Sequence, residues 1–344
     1  NYAGAENISN VYLSAGVPTR ILYSYVTGNW GSYTVGDYLN TYATTIDSLV
    51  IDGTLKGNVR ADTIGSITAN RIVKYNPQLE EEPVYIVAQN VTGGIVSNTS
   101  IYANVSINQN LYGISAGEDI SGSITAGTIG NVYVGGDINA MINAGTLILG
   151  NTYGHGQIRQ TGGTVSVTNL AFQNSSIYSS LYKLKGGTLN VTGDISCGLN
   201  QGWGEFHLDG GQLNLTGTMS LSCLVLGMEA TSTGSFTLNN TTVLGYLFAG
   251  YSGNGTLNQE GGTNIIIADL RMGEYQDSSG TYALKDGDLY FAKDNTDHFL
   301  CVGNGGAGDF LMGDADSTGT VSEFNSGYGI HMIVRNQSGA SGIF

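Results

Sequence analysis

The stretch Gly204-Glu-Phe206-His-Leu208-Asp-Gly210-Gly211-Gln-Leu213-Asn-Leu215 decides how this chain folds. A glycine stands two residues ahead of a large apolar side chain, a glycine pair follows, and alternating apolar residues close the phrase. Alternation with a period of two buries one face of a strand and leaves the other wet. The glycine pair suits a corner, where positive φ would strain any residue with a side chain.

Working outward, the phrase recurs. Gly156 and Ile158 lead to Gly162-Gly163, Val165 and Val167; Tyr182, behind Ser180, leads to Gly186-Gly187, Leu189 and Val191. Gly234 and Phe236 lead to Asn240-Thr241 and Val243, and Gly255 and Leu257 lead to Gly261-Gly262. Gly280 and Tyr282 lead to Asp286-Gly287, Leu289 and Phe291, and an eroded copy starts at Gly308 and Phe310. The lead apolar residues stand at 158, 182, 206, 236, 257, 282 and 310, in steps of 21 to 30 residues. A two-helix repeat has a length fixed by its geometry. Stacked β-coils need only their strands in register, and a corner can carry an extra loop.

The first half holds a shorter-stepped version. Leu55-Lys-Gly-Asn-Val59-Arg-Ala-Asp-Thr-Ile64-Gly-Ser-Ile67-Thr-Ala69 aligns with Ile120-Ser-Gly-Ser-Ile124-Thr-Ala-Gly-Thr-Ile129-Gly-Asn-Val132-Tyr-Val134 at an offset of 65. A helix over these residues would carry several interior glycines, at about 1 kcal/mol each. Short strands with glycine corners carry no such cost. The expected fold is therefore all-β, a right-handed parallel β-helix (β-solenoid).

Four regions follow. Residues 1–45 hold Tyr2, Tyr12, Tyr23, Tyr25 and Trp30 and are read as an aromatic N-terminal cap or assembly segment, since a solenoid exposes a core cross-section at its end. Narrow glycine-rich coils occupy 46–155, with a loop or insertion at 75–92 that holds Pro77, Glu80-Glu81-Glu82 and Pro83. Wider coils of about 21–30 residues occupy 156–322, and a C-terminal strand and tail with Ile330, Met332, Ile333 and Val334 occupies 323–344. The coil corners are assigned to Gly162, Gly163, Gly186, Gly187, Gly210, Gly211, Gly261, Gly262 and Gly287.

Charge narrows the partners. With 12 Lys+Arg against 27 Asp+Glu the net charge is −15, and no Lys or Arg occurs between Lys74 and Arg159. Nucleic acid and anionic membrane surfaces both require a basic stripe, so neither is expected. The apolar runs, such as Asn264-Ile265-Ile266-Ile267-Ala268, are too short to span a bilayer, so no membrane insertion is expected. The chain opens on Asn1, which fits a secreted protein whose leader has been removed.

Chemistry-bearing residues are sparse. Cys197, Cys223 and Cys301 are spaced by 26 and 78 residues, the spacing of a buried column of small residues, with a Cys197–Cys223 disulfide as the alternative. Without a C-x-x-C, no metal is expected. His155, His207, His298 and His331 share no spacing, and His207, between Phe206 and Leu208, is expected to face solvent. A hydrolase needs two carboxylates within roughly 5–9 Å. Glu205, Asp194 and Asp209 approach that across coils, as do Asp286, Asp288 and Asp309, yet Asp209 and Asp286 occupy turn positions. Asp314-Ala-Asp316-Ser-Thr-Gly319 begins like a calcium loop, but Asn325 replaces its bidentate Glu. The expectation is no enzyme, no catalytic residue, no cofactor and no metal. Asn190 and Asn214, equivalent outward positions, are expected to form a stacked amide ladder.

The phrases at Gly204–Leu215 and Gly280–Phe291, with the Gly-Ser-Ile-Thr-Ala-Gly-Thr-Ile-Gly-Asn-Val run at 122–132, resemble the extracellular repeats of bacterial autotransporter-type passenger proteins. The resemblance covers residues 48–72 and 113–320. It implies a surface-displayed parallel β-helix serving as an adhesin, matrix or surface-layer component. No run of amphipathic strands for a C-terminal membrane barrel is seen. The leading expectation is a structural subunit of an extracellular filament, surface layer or matrix fibre, with itself as partner in a head-to-tail homopolymer. A surface adhesin or glycan-binding module, with Trp203, Tyr251 and Tyr275 as sugar contacts, is the second. A polysaccharide lyase or hydrolase on a β-helix is the third.

Overall fold

The computed structural model describes residues 7–8, 11–12, 21–25, 29–35, 39–55, 57–75, 81–130, 132–149, 156–172, 179–197, 203–291, 298–312, 330–334 and 341–343. Side chains are described within those ranges from 45 to 312, apart from 52, 74, 75, 81, 82 and 298. Tyr2 lies outside the described residues, as do the side chains of Tyr12, Tyr23, Tyr25, Trp30, Ile330, Met332, Ile333 and Val334.

Every element among the described residues is a strand. The strands pair in parallel, coil on coil, the arrangement of a β-solenoid, with one antiparallel exception at Lys74–Tyr75 and Glu81–Glu82. The chain forms two compact units, residues 1–149 with 157–159 and 163–168, and residues 150–156, 160–162 and 169–344.

In the first unit the alternation seen in sequence becomes columns. In one of them Leu49, Ile67, Ile95, Ile114 and Val132 lie one above another. All five are buried. Ile120–Ile129 pairs with Ile138–Leu149 at a constant step, Ile120 on Ile138, Ile124 on Ile142 and Ala126 on Ala144. Each fully buried Ile or Val contributes roughly 1.5–3 kcal/mol, and the β-branched side chains suit the pleated wall. The outward side is held by polar ladders: Asn98 Nδ2 donates to Asn70 Oδ1 at 2.6 Å, and Ser123 Oγ to Asn104 Oδ1 at 2.7 Å.

The true step here is 18 to 19 residues, as in Ile95 on Ile114 and Ile114 on Val132. The offset of 65 between the two aligned stretches therefore spans three coils, the first lengthened to 28 residues between Ile67 and Ile95. The added length includes the antiparallel pair at 74–82. Val84–Ala88, which falls inside the 75–92 loop expected from sequence, stands in the ladder, pairing with Val59 and Arg60 on one side and Ala103–Ile107 on the other. Backbone pairing also runs through Asn29–Val35 and Leu39–Leu55, with Tyr33 on Leu49.

In the second unit the glycine-punctuated phrases stack, but not as a single column. Tyr182 lies on Phe206, with rings 5.3 Å apart and 12° from parallel. Phe236, Leu257, Tyr282 and Phe310 form a second ladder. Between them the sequence reading needs correction. Phe206 is covered by Leu224, not by Phe236. Asn240 Nδ2 donates to Thr216 O at 2.7 Å, and the backbone of Gly262 crosses above Asn240. The Asn240 corner therefore stacks on Thr216-Gly217 and not on Gly210-Gly211. The phrase changes face between its third and fourth copies, because Met219–Leu226 is long enough to pair with both Ile195–Cys197 and Trp203–Leu208.

Two glycine positions explain why the phrase is written as it is. A Cβ on Gly280, the opening glycine, would stand 1.9 Å from the carbonyl oxygen of Ala249, so no larger residue fits. At the corner, Gly187 adopts φ +73°, and a Cβ on Gly186 would meet Thr161 O at 2.3 Å. One member of the pair is needed for conformation and the other for close approach. Gly163, Gly210, Gly262 and Gly287 also have positive φ.

Candidate functional site

The second unit carries a wall whose outward side chains are not ordinary solvent-facing ones. It is built from Trp203–Leu208, Met219–Leu226, Thr242–Ala249, Leu270–Met272 and His298–Val302, paired in that order. Inward, Phe206, Leu224, Leu247, Leu270 and Leu300 form one buried column. Because successive side chains alternate, the neighbours of that column face outward. They form two outer rows: Glu205, Cys223 and Tyr246; and His207, Val225, Phe248, Arg271 and Cys301.

The aromatic members of this wall touch in sequence. Trp203 and Tyr246 have ring centroids 5.6 Å apart, Tyr246 and Phe248 6.2 Å, Phe248 and Tyr251 5.2 Å, and Tyr251 and Tyr275 4.8 Å. Tyr251 and Tyr275 leave the wall on consecutive corners, where Tyr275 N donates to Tyr251 O at 3.1 Å, and their hydroxyls meet at 3.2 Å. The Tyr246 and Phe248 rings are near parallel, 12° apart in plane, and the other three contacts are tilted or edge-on, geometries that are favourable at these separations. Trp203 is 40% exposed and Tyr275 51%, while the three rings between them are half-buried. The strip thus brings together Trp203, Tyr251 and Tyr275, the three sugar contacts named from sequence. It also holds Tyr246 and Phe248, which sequence reasoning missed because the inward parity changes within Thr242–Ala249. Thr242 and Leu244 are buried ahead of Gly245, Leu247 and Ala249 after it, so alternation carried forward from Thr242 would have turned both rings inward.

Polar groups fix the strip at each end. The Glu205 carboxylate accepts a hydrogen bond from His207 Nε2 at 2.9 Å and another from the Trp203 side chain. These bonds, the His207 bond first, hold Glu205 below the usual carboxylate range. Toward the other end, the Arg271 guanidinium lies 6.0 Å over the Phe248 ring. Its Nη2 is 2.7 Å from Asp269 Oδ2 and its Nη1 2.9 Å from Glu274 Oε1. Asn304 Nδ2 donates to Glu274 Oε2, and Phe299 N to Asp269 Oδ1.

Two sequence expectations are corrected on this wall. His207 does sit at an outward position but is 5% exposed, since Lys183 and Val225 flank it in the adjacent strands. Its Nδ1 has no partner among the described residues. The three cysteines form no column: Cys197 pairs with Phe172, Cys223 with Glu205, and Cys301 with Arg271. Coil steps differ along the unit, so a regular 26-residue spacing in sequence does not stack. All three thiols are free and buried. Burial, then the Glu205 charge, pushes Cys223 well up, and burial raises Cys301 to about 11, so neither is a ready nucleophile.

Three of the six carboxylates considered for hydrolysis, Asp194, Asp209 and Asp286, hold turns and corners. Asp194 Oδ1 accepts from Thr218 N at 2.8 Å and Thr218 Oγ1 at 2.9 Å. Asp209 Oδ1 accepts from Met228 N at 2.6 Å and Ser232 Oγ at 2.9 Å, stapling one corner to the next, while Oδ2 faces Lys183 Nζ at 3.5 Å. Lys183 and Lys185 each reach Glu229 at 2.8 Å. Asp286 Oδ1 accepts from Gly287 N at 2.7 Å. The amide ladder is present, with Asn214 Nδ2 donating to Asn190 Oδ1 at 2.8 Å. Among the described residues no group of three or more His, Cys, Asp and Glu is placed to hold a metal ion, and no helix is long and apolar enough to cross a membrane.

Comparison of the chain with protein families, with curated proteins and with solved structures gave no match.

Proposed function

We propose that this chain is a structural subunit of an extracellular assembly, a filament, surface layer or matrix fibre, built by self-association of β-solenoids. The observation that carries the reading is the repetition of buried columns, coil after coil, made of side chains whose chemistry is packing alone, such as Leu49, Ile67, Ile95, Ile114 and Val132. In this reading the coils wind right-handed, as parallel β crossovers do. Residues 1–45 close one end of the stack, and head-to-tail contact between copies extends it, since a heterologous contact that does not close gives open fibres. The protein is secreted, acts without cofactor or metal, and performs no catalysis. Electron microscopy of the purified chain tests this: filaments or sheets are expected, and their loss on deleting 1–45. Monodisperse single particles at high concentration would remove the proposal.

The aromatic strip favours a second reading, a surface adhesin or glycan-binding module. Five rings meet in one strip, three on the outer wall and two on its adjoining corners, with the two end rings exposed. A core would have gained more by turning those rings inward. Binding to immobilised glycans, measured with the full chain, tests it.

A further inference from the structure

Resting on the glycan-binding reading, we propose that the strip from Trp203 to Tyr275 is a binding platform for a neutral polysaccharide, with Trp203 and Tyr275 as its two anchoring faces. Three observations select that ligand class.

The first is shape. The strip is a line of ring faces and edges on a β wall, half-buried in the middle and open at its ends. A pyranose presents a flat C–H face that lies on such a ring, and its hydroxyls project sideways toward polar neighbours. The Tyr251 and Tyr275 hydroxyls, 3.2 Å apart, stand at one end as donors and acceptors for them.

The second is charge. The carboxylates bordering the strip are Glu205, Asp269 and Glu274, within a chain of net charge −15. An acidic glycan would be repelled there. A cationic partner gains little, because these carboxylates already have ligands of their own: Glu205 holds His207 and Trp203, while Asp269 and Glu274 hold Arg271. Arg271 is likewise occupied, and it lies over Phe248, leaving the end rings as the open surfaces. A neutral sugar meets no repulsion and asks for no free ion.

The third is preorganisation. Glu205 accepts a hydrogen bond from the Trp203 side chain and is itself fixed by His207, so the Trp203 end of the platform is anchored before any ligand arrives. Ordering cost on binding is reduced accordingly. Glu205 is a positioning residue, acting through Trp203.

Affinity gel electrophoresis of the full chain tests the proposal, with a soluble neutral β-glucan, polygalacturonate and chitosan as the three embedded polymers. Retardation by the neutral polymer is expected, weakened about tenfold by Trp203→Ala or Tyr275→Ala. Trp203→Phe should keep most of it, and far-UV circular dichroism confirms that each variant is folded. Retardation only by polygalacturonate or chitosan, lost on Trp203→Ala, would overturn the neutral class while leaving a glycan-binding wall. Retardation by the neutral polymer that neither alanine variant weakens would overturn the site. A chain retarded by none of the three would remove this proposal, and binding to no sugar on a broad glycan array would remove the underlying reading as well.

Discussion

The hydroxyl of Tyr182 donates to Oε1 of Gln160 at 2.5 Å, inside a core where both residues are fully buried. Gln160 Nε2 turns to two carbonyls, Gly162 O and Thr188 O, each at 3.1 Å. The same device recurs further along the chain. Tyr282 donates to Gln259 Oε1, and Gln259 Nε2 donates to Gly262 O at 3.2 Å and Asp288 O at 3.0 Å. In each case the glutamine stands two residues after the lead apolar residue of one copy, and the tyrosine is the lead residue of the next. Copies that carry Leu184, Leu238 or Leu284 at the glutamine position are followed by Phe206, Leu257 or Phe310. The two positions are chosen together, because a buried phenol without an acceptor is costly and a buried amide without a donor is equally so.

That pairing predicts a double-mutant cycle. Gln160→Leu alone should destabilise by roughly 2–5 kcal/mol, since it orphans the Tyr182 hydroxyl and two carbonyls at about 1–3 kcal/mol for each group that finds no water. Adding Tyr182→Phe should restore part of the loss, giving a coupling of about 1 kcal/mol or more. Urea unfolding of the four proteins measures it, and additive losses would show that the pair does not act as a unit.

Two glycines of the repeated phrase, one opening it and one at its corner, should behave oppositely. Gly280→Ala puts a Cβ 1.9 Å from Ala249 O, a backbone atom that cannot step aside, so a loss of at least about 3 kcal/mol or failure to fold is expected. Gly261→Ala meets only Asn239 O at 3.6 Å, and it should be neutral or gain up to about 1 kcal/mol. Thermal melts of both variants decide the matter.

Acid should weaken the second unit through Glu229. Hydrogen bonds from Lys183 and then Lys185 lower its carboxyl from 4.5 to about 2. A depressed folded-state value means the stabilisation is complete above 4.5 and disappears as pH falls toward 2. The side chain is 41% exposed, so solvent screening keeps the effect modest. The difference in unfolding free energy between the native chain and Glu229→Gln should shrink over that window; a difference independent of pH would show the pairs to be inconsequential.

The thiols should be silent in the folded protein. Cys197, Cys223 and Cys301 are 6%, 5% and 3% exposed, and burial raises all three pKa values. An aromatic disulfide reagent at neutral pH should label none of them natively and all three in denaturant. Rapid native labelling of Cys223 would place it in a more open setting than its contact with Glu205 implies.

Alternation and glycine placement alone determined that this chain is built of β-strands and, in the copies led by Ile158, Tyr182 and Tyr282, which side chains face inward. Those are local properties, set by the period of two and by the conformations only glycine adopts. Even the amide ladder between Asn190 and Asn214 was legible, because both copies of the phrase have equal length. In the copy led by Phe236, by contrast, Thr242 and Leu244 are buried and Val243, read as the inward position, is not. What the sequence withheld is which coil lies on which. Phe206 meeting Leu224, the step of 18 to 19 residues hidden inside an offset of 65, and the dispersal of the three cysteines all depend on loop lengths between strands. Loop length is loosely constrained by sequence, since closing a longer loop costs little more than closing a shorter one. The aromatic strip belongs to that second class. Trp203, the Tyr246–Tyr251 segment and Tyr275 are distant in the chain, and only parallel stacking, with neighbouring strands about 4.8 Å apart, brings their rings into one strip.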